Sequence, residues 1–165
     1  MPIDRAQLPI NCLLTTQGMP HDYRDCFAVD LPMAIQLEAY IAAFYTTWLF
    51  KLERILLGLA GHPSTDQQAI DLAQGQLQAY AAWTLDARQP DQILMRDITG
   101  VTCLWLMAVS SASGTRLYLG SGVKAMQCRA DGSMALPFGY RALMGLHVLY
   151  SKALLATTAS KLARH

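Results

Sequence analysis

Tyr140, His147 and Tyr150 are the side chains whose types and spacing best suit chemistry. With Leu143 and Leu154 they recur at three- and four-residue intervals, so on a helix they share one face. An imidazole and two phenols among apolar walls are the usual make-up of a small-molecule site, where a few polar points orient a ligand. His147 would there move a proton near neutral pH. In a filled interior the same residue would be a core histidine, hydrogen-bonded to a neighbouring strand.

Arg96 is the second place to look. It stands beside Asp97 at the end of a strand-like run, and adjacent strand residues point to opposite faces, so the two cannot both enter one cavity. Either one of the two pairs with a charge on a helix and holds the sheet edge, or Arg96 grips a ligand carboxylate with its two-pronged head. Trp83, Trp105 and Tyr118 are strand aromatics of the kind that more often fill a core than wall a binding box. No catalytic residue is assigned, because the chain has neither a Gly-x-Ser-x-Gly elbow nor a His-Glu-x-x-His helix. Gly120-Ser121-Gly122 is not a phosphate loop: it lies within a strand pattern and lacks the Gly-Lys-Ser/Thr ending. No cofactor is implied.

Cys12, Cys26, Cys103 and Cys128 are widely separated, with no Cys-x-x-Cys pair and no nearby pair of histidines, so no metal site is expected. Residues 1–20 show no charged-then-apolar leader pattern, which leads to the expectation of a cytoplasmic chain with free thiols. The longest uncharged apolar stretch near the middle, Ala39 to Phe50, is far shorter than the roughly 20 residues that span a bilayer.

Apolar side chains make up 53% of the 165 residues and charged ones only 15%, well below the usual share of roughly 25%. That surplus must line a core, a cavity, a subunit interface or a membrane contact. A formal net charge of +1 argues against nucleic acid as the partner, since phosphate neutralisation takes a clear basic excess. The charge is unevenly spread, with 6 basic and 11 acidic residues up to Asp97 and 7 basic and 1 acidic from Ile98 onward. Either the two halves neutralise each other, or Arg116, Lys124, Arg129 and Arg141 form a basic face for an anion or a membrane surface.

The elements that must position these residues follow from periodicity. His21 to Asp30 reads as a strand stopped by Leu31-Pro32. Met33 to Leu59 reads as helix, with Ile35, Ala39, Ala42, Tyr45, Leu49, Leu52 and Leu56 on one stripe, broken into two near Thr46-Thr47. Gly58, Gly61 and Pro63 end it, and Ser64 or Thr65 then caps a short helix through about Ala73. Leu77–Arg88, Gln92–Asp97, Val101–Ser110 and Thr115–Gln127 read as strands joined by short turns, and such strands must be antiparallel. The run from Val101 to Val109 is apolar on both faces, so both must be covered. Gly120 and Gly122 share one side of their strand and leave room for a neighbour's bulk or for sheet curvature. Pro137 suits a first helical turn, and a helix from about Phe138 to Leu162 closes the order.

That order, together with Thr115-Arg116-Leu117-Tyr118-Leu119-Gly120-Ser121-Gly122-Val123, Leu146-His147-Val148-Leu149-Tyr150-Ser151 and Trp105-Leu106, resembles the START-like (SRPBCC) helix-grip superfamily of polyketide cyclase-like proteins and plant allergen-type carriers. Within it the chain looks like a bacterial family, over residues 22–162. The resemblance implies an α+β helix-grip domain, a curved antiparallel sheet wrapped around a long C-terminal helix, over residues 1–165. It also implies a cavity between sheet and helix, often holding a small hydrophobic molecule. It carries no activity with it, because the fold hosts carriers, cyclases and regulators alike. Three functions are therefore expected in turn: a hydrophobic-ligand binder, a cyclase- or isomerase-type enzyme using His147 as acid or base, and a homodimerising interaction protein with a filled core.

The cysteine reading is directly testable. Thiol titration under denaturing, non-reducing conditions is expected to count four free thiols; a count of two or none would overturn the assignment to a reducing compartment.

Overall fold

Thr47 organises the helical layer. Its hydroxyl donates to the Phe44 carbonyl at 2.9 Å and accepts from the Phe50 amide at 3.2 Å, so one side chain closes one helix and caps the next. The computed structural model describes residues 2–17, 23–124, 127–128, 134–135 and 140–164, with 127–128, 134–135 and 140–144 described in backbone only. In chain order the elements are β1 (Asp4–Arg5), α1 (Leu13–Thr16), β2 (Tyr23–Leu31), α2 (Leu37–Tyr45), α3 (Trp48–Leu59) and α4 (Asp66–Ala73). There follow β3 (Ala79–Tyr80), β4 (Trp83–Gln89), β5 (Gln92–Asp97), β6 (Thr102–Ser111), β7 (Gly114–Val123), β8 (Gln127–Cys128), β9 (Met134–Ala135) and α5 (Tyr140–Leu162).

Seven strands form one antiparallel sheet in the order β1-β2-β7-β6-β5-β4-β3, and β8 pairs with β9 separately. The sheet is open and curved, with α5 packed against it. This is the α+β class and the helix-grip layout expected from the order of elements. The two-helix break at Thr46-Thr47 and the capped helix after Thr65 are as the sequence indicates, and α4 carries a full capping box between Thr65 and Gln68.

Two details differ from the periodicity. Leu77–Arg88 is two strands, because Ala81 adopts a left-handed conformation (φ +52°) that no extended strand passes through. The short β1 and α1 were not anticipated; each is too brief to leave a periodic signature. Pro137 and Phe138 lie outside the described residues, as does the side chain of Arg141.

Strand alternation divides the apolar side chains between two cores. On the helical face Phe27, Val29, Ile93, Met95, Leu104, Leu106, Leu117 and Leu119 meet the inward sides of α2, α4 and α5. On the opposite face Cys26, Leu94, Trp105 and Met107 meet Cys12, Leu13 and Leu14, so the N-terminal segment supplies the second cover that β6 demands. The buried Gln92 side chain fastens that cover. Its Oε1 accepts from Trp105 Nε1 at 2.9 Å and from the Leu13 amide at 2.8 Å, while Nε2 donates to the Asn11 carbonyl. A buried amide with its capacity filled in this way stabilises rather than costs.

Gly120 and Gly122 make the second core possible. A Cβ at Gly120 would stand 2.8 Å from Trp105 Cε3 and 3.0 Å from Leu14 Cδ2, and one at Gly122 would stand 2.7 Å from Cys103 Sγ. The indole and Leu14 occupy the space the glycines leave. Gly120→Ala is therefore expected to overpack this side and cost about 1–3 kcal/mol, read as a lowered urea midpoint at unchanged slope. An unaltered midpoint would show that Trp105 yields freely.

Candidate functional site

On the helical face β2 and β7 pair with Asp25 directly opposite Ser121. Both point toward α5, because they share the alternation that places Phe27 and Leu119 in that core. Directly opposed side chains on neighbouring strands sit within hydrogen-bond reach. Asp25 Oδ1 accepts from Ser121 Oγ at 2.6 Å and from the Ser121 amide at 3.1 Å. From α5, His147 Nε2 lies 2.8 Å from Ser121 Oγ and 3.2 Å from Asp25 Oδ2.

The proton positions follow from valence. A serine hydroxyl has one proton, and the carboxylate is an acceptor, so Ser121 donates to Asp25 and must accept from His147 Nε2–H. Burial pushes the Asp25 carboxyl up, but the hydrogen bonds from His147 and Ser121, the attraction of His147 and the Ser121 amide outweigh it and hold the group below the ordinary value. The three residue types are those of a serine hydrolase, but the arrangement is not. The same imidazole nitrogen faces both serine and aspartate, whereas a nucleophilic triad needs one nitrogen for each. Ser121 is consequently a bridge rather than an activated nucleophile, and both contacts are made by Nε2 of His147.

Below this cluster lies a cavity of about 430 Å³, bounded by the sheet, α3 and α5. Its walls are mainly apolar, including Phe44, Phe50, Trp83, Leu104, Leu119 and Leu154, with polar points at Ser121, His147, Ser151 and Thr102. Glu53 of α3 and Tyr150 of α5 add a further pair on the wall, the phenol donating to Glu53 Oε2. Burial pushes the Glu53 carboxyl up, and the Tyr150 hydrogen bond pulls it only partly back. Burial, the Glu53 charge and that same bond push the Tyr150 phenol up as well. Leu52 and Leu56 rim the cavity on its α3 side, 52% and 67% exposed.

Of the residues singled out from sequence, the structure brings Trp83, His147 and Tyr150 to this cavity. Trp105 and Tyr118 are corrected as candidates: alternation puts them on the opposite face, with ring centroids 6.0 Å apart in the second core. Arg96 does not line the cavity either; its Nε donates to Asp86 Oδ2 at 3.1 Å, a partner on the neighbouring strand β4 rather than on a helix. Tyr140 begins α5, but its side chain lies outside the described residues. Leu52 and Leu56, assigned by periodicity to the buried stripe of their helix, are a cavity rim instead.

Asp25, Ser121 and Glu53 were missed. Asp25 shares the parity of Phe27 and Val29 in an apolar strand, and Glu53 shares a helical face with Leu49 and Phe50; an acid on an inward face is the signal each carried. Among the described residues no group of three or more His, Cys, Asp and Glu is placed to hold a metal ion, and no helix is long and apolar enough to cross a membrane. Arg116 reaches across the charge-divided halves to Asp30, at 2.6 Å. The chain matches no protein-family model, no curated protein and no solved structure.

Asp25→Asn keeps the volume and removes the charge. It is expected to cost about 1–3 kcal/mol, since the amide keeps one acceptor oxygen but sets an N–H donor where Ser121 or His147 needs the other, and the charge is gone. Because the native carboxyl lies below its unfolded value, the wild type's advantage is full above about pH 4 and shrinks as pH falls through the native value. Urea unfolding of both proteins between pH 2 and 7 checks it; a difference independent of pH would show that Asp25 is not held as the anion.

Proposed function

We propose that this protein binds a small hydrophobic molecule in the cavity between the sheet and α5, in the manner of the START-like carriers its sequence resembles. The observation that carries this reading is the cavity itself: space of about 430 Å³ with apolar walls and a few convergent polar groups, within the size range of ligand sites.

A cyclase- or isomerase-type enzyme is the second reading, favoured by the Asp25–His147 contact. A carboxylate behind one imidazole nitrogen stabilises the imidazolium formed when the other takes a proton, and this is the support a general base needs. Homodimerisation also has an observation behind it. Trp48, Leu52, Ile55, Leu56 and Leu59 are exposed along one side of α3, and Leu146 and Leu149 along α5. The cavity between the sheet and α5 weighs against the filled core that goes with this reading.

Native mass spectrometry of the purified chain tests the binding reading, reporting retained ligand and oligomeric state together. A bound species of a few hundred daltons, or saturable binding of the neutral fluorophore N-phenyl-1-naphthylamine, is expected. His147→Leu is expected to lower stability by about 1–3 kcal/mol, since Asp25 and Ser121 lose a partner, and to weaken ligand retention several-fold. Lowered stability with unchanged occupancy would reduce His147 to a tie between helix and sheet.

A further inference from the structure

The two carboxylates near the cavity are compensated very differently. Asp25 has a hydroxyl, an amide and an imidazole around it. Glu53, on the cavity wall, has the Tyr150 hydroxyl as its one hydrogen-bond donor among the described residues. An ionised carboxylate has room for about four donors, and a sheltered one without them is disfavoured. Its neighbour Arg54 does not help, for that guanidinium is turned to Asp66 and the Ser64 carbonyl.

No lysine or arginine among the described residues lines the cavity, and the one imidazole there is already matched to Asp25. Four aromatic rings do line it: Phe44, Phe50, Trp83 and Tyr150. Ring faces attract cations, more strongly where water is excluded. An anionic head group would meet the Glu53 carboxylate and no lysine or arginine among the described residues of the lining. A cationic one would meet a carboxylate short of partners and aromatic walls.

Resting on the binding reading above, we propose that the ligand is a lipophilic amine, its ammonium group set against the Glu53 carboxylate and the Tyr150 hydroxyl and its apolar body among Phe44, Phe50, Trp83 and Leu119. Glu53 is then the specificity-determining residue. The upward push that burial exerts on its carboxyl is the cost of an anion with no counter-ion, and a bound ammonium relieves it.

The experiment compares head groups on one tail. Displacement of N-phenyl-1-naphthylamine from the full chain is followed with dodecylamine, dodecanol and dodecanoate below their aggregation limits at neutral pH. Dodecylamine is expected to compete at roughly tenfold lower concentration than dodecanol, the margin of a charge-assisted hydrogen bond, with dodecanoate weakest. Glu53→Gln is expected to erase the amine's advantage over the alcohol. Should that variant fail to fold, the ranking of the three head groups on the wild type still decides. Amine no better than alcohol, dodecanoate the strongest, or an advantage that survives in Glu53→Gln overturns the proposal while leaving the cavity reading intact. If neither the neutral probe nor the alcohol binds, the cavity reading falls and this proposal with it.

Discussion

A carboxylate that faces an apolar interior has to be matched, and the matching of Asp25 ties this molecule together. The register of β2 on β7 supplies Ser121 from the strand alongside, and α5 supplies His147 from above. One end of α5 is thus held to the sheet by polar contacts of fixed geometry. Its other end is held by packing of Leu154, Leu155, Ala159 and Leu162, and by Lys161, whose ammonium donates to the Thr46 carbonyl at the end of α2. Between the two attachments α5 faces the cavity with Tyr150, Ser151 and Leu154.

The apolar surplus of the chain is spent in three places. Two are dry: the main core under α2, α4 and α5, and the smaller core where α1 covers Trp105. The third is the cavity, continuous at Leu52 and Leu56 with the exposed stripe along α3. A helix whose outward side carries Trp48, Leu52, Ile55, Leu56 and Leu59 leaves apolar surface against water that a filled fold would not. That surface adjoins the cavity rather than lying elsewhere on the molecule.

Asp25 and Glu53 show how environment divides one functional group into two. Both are carboxylates on inward faces, and burial pushes both up. For Asp25 two donors from Ser121 and a facing imidazole reverse the sign; for Glu53 a single phenol does not. The first is therefore a structural anion, permanently matched, and the second is a group with bonding capacity to spare. Separation of this kind is a common basis for assigning different roles to like residues.

Periodicity and turn chemistry in the sequence were enough for the antiparallel sheet, the helix break at Thr46-Thr47, the capping at Thr65 and the long last helix, because these are local: each depends on residues within a few positions of one another. The shared face of His147 and Tyr150 was legible for the same reason. Which face of the sheet a strand residue occupies was not. Alternation says that Trp105 and Leu106 point opposite ways, but only the packing of α1 on one side and α5 on the other says which way leads to the cavity. Nor could the sequence pair Asp25 with Ser121, or Glu53 with Tyr150, since each pair is brought together by strands and helices nearly a hundred positions apart. Side-chain type and local spacing are properties of the chain; the partner a buried charge finds is a property of the fold.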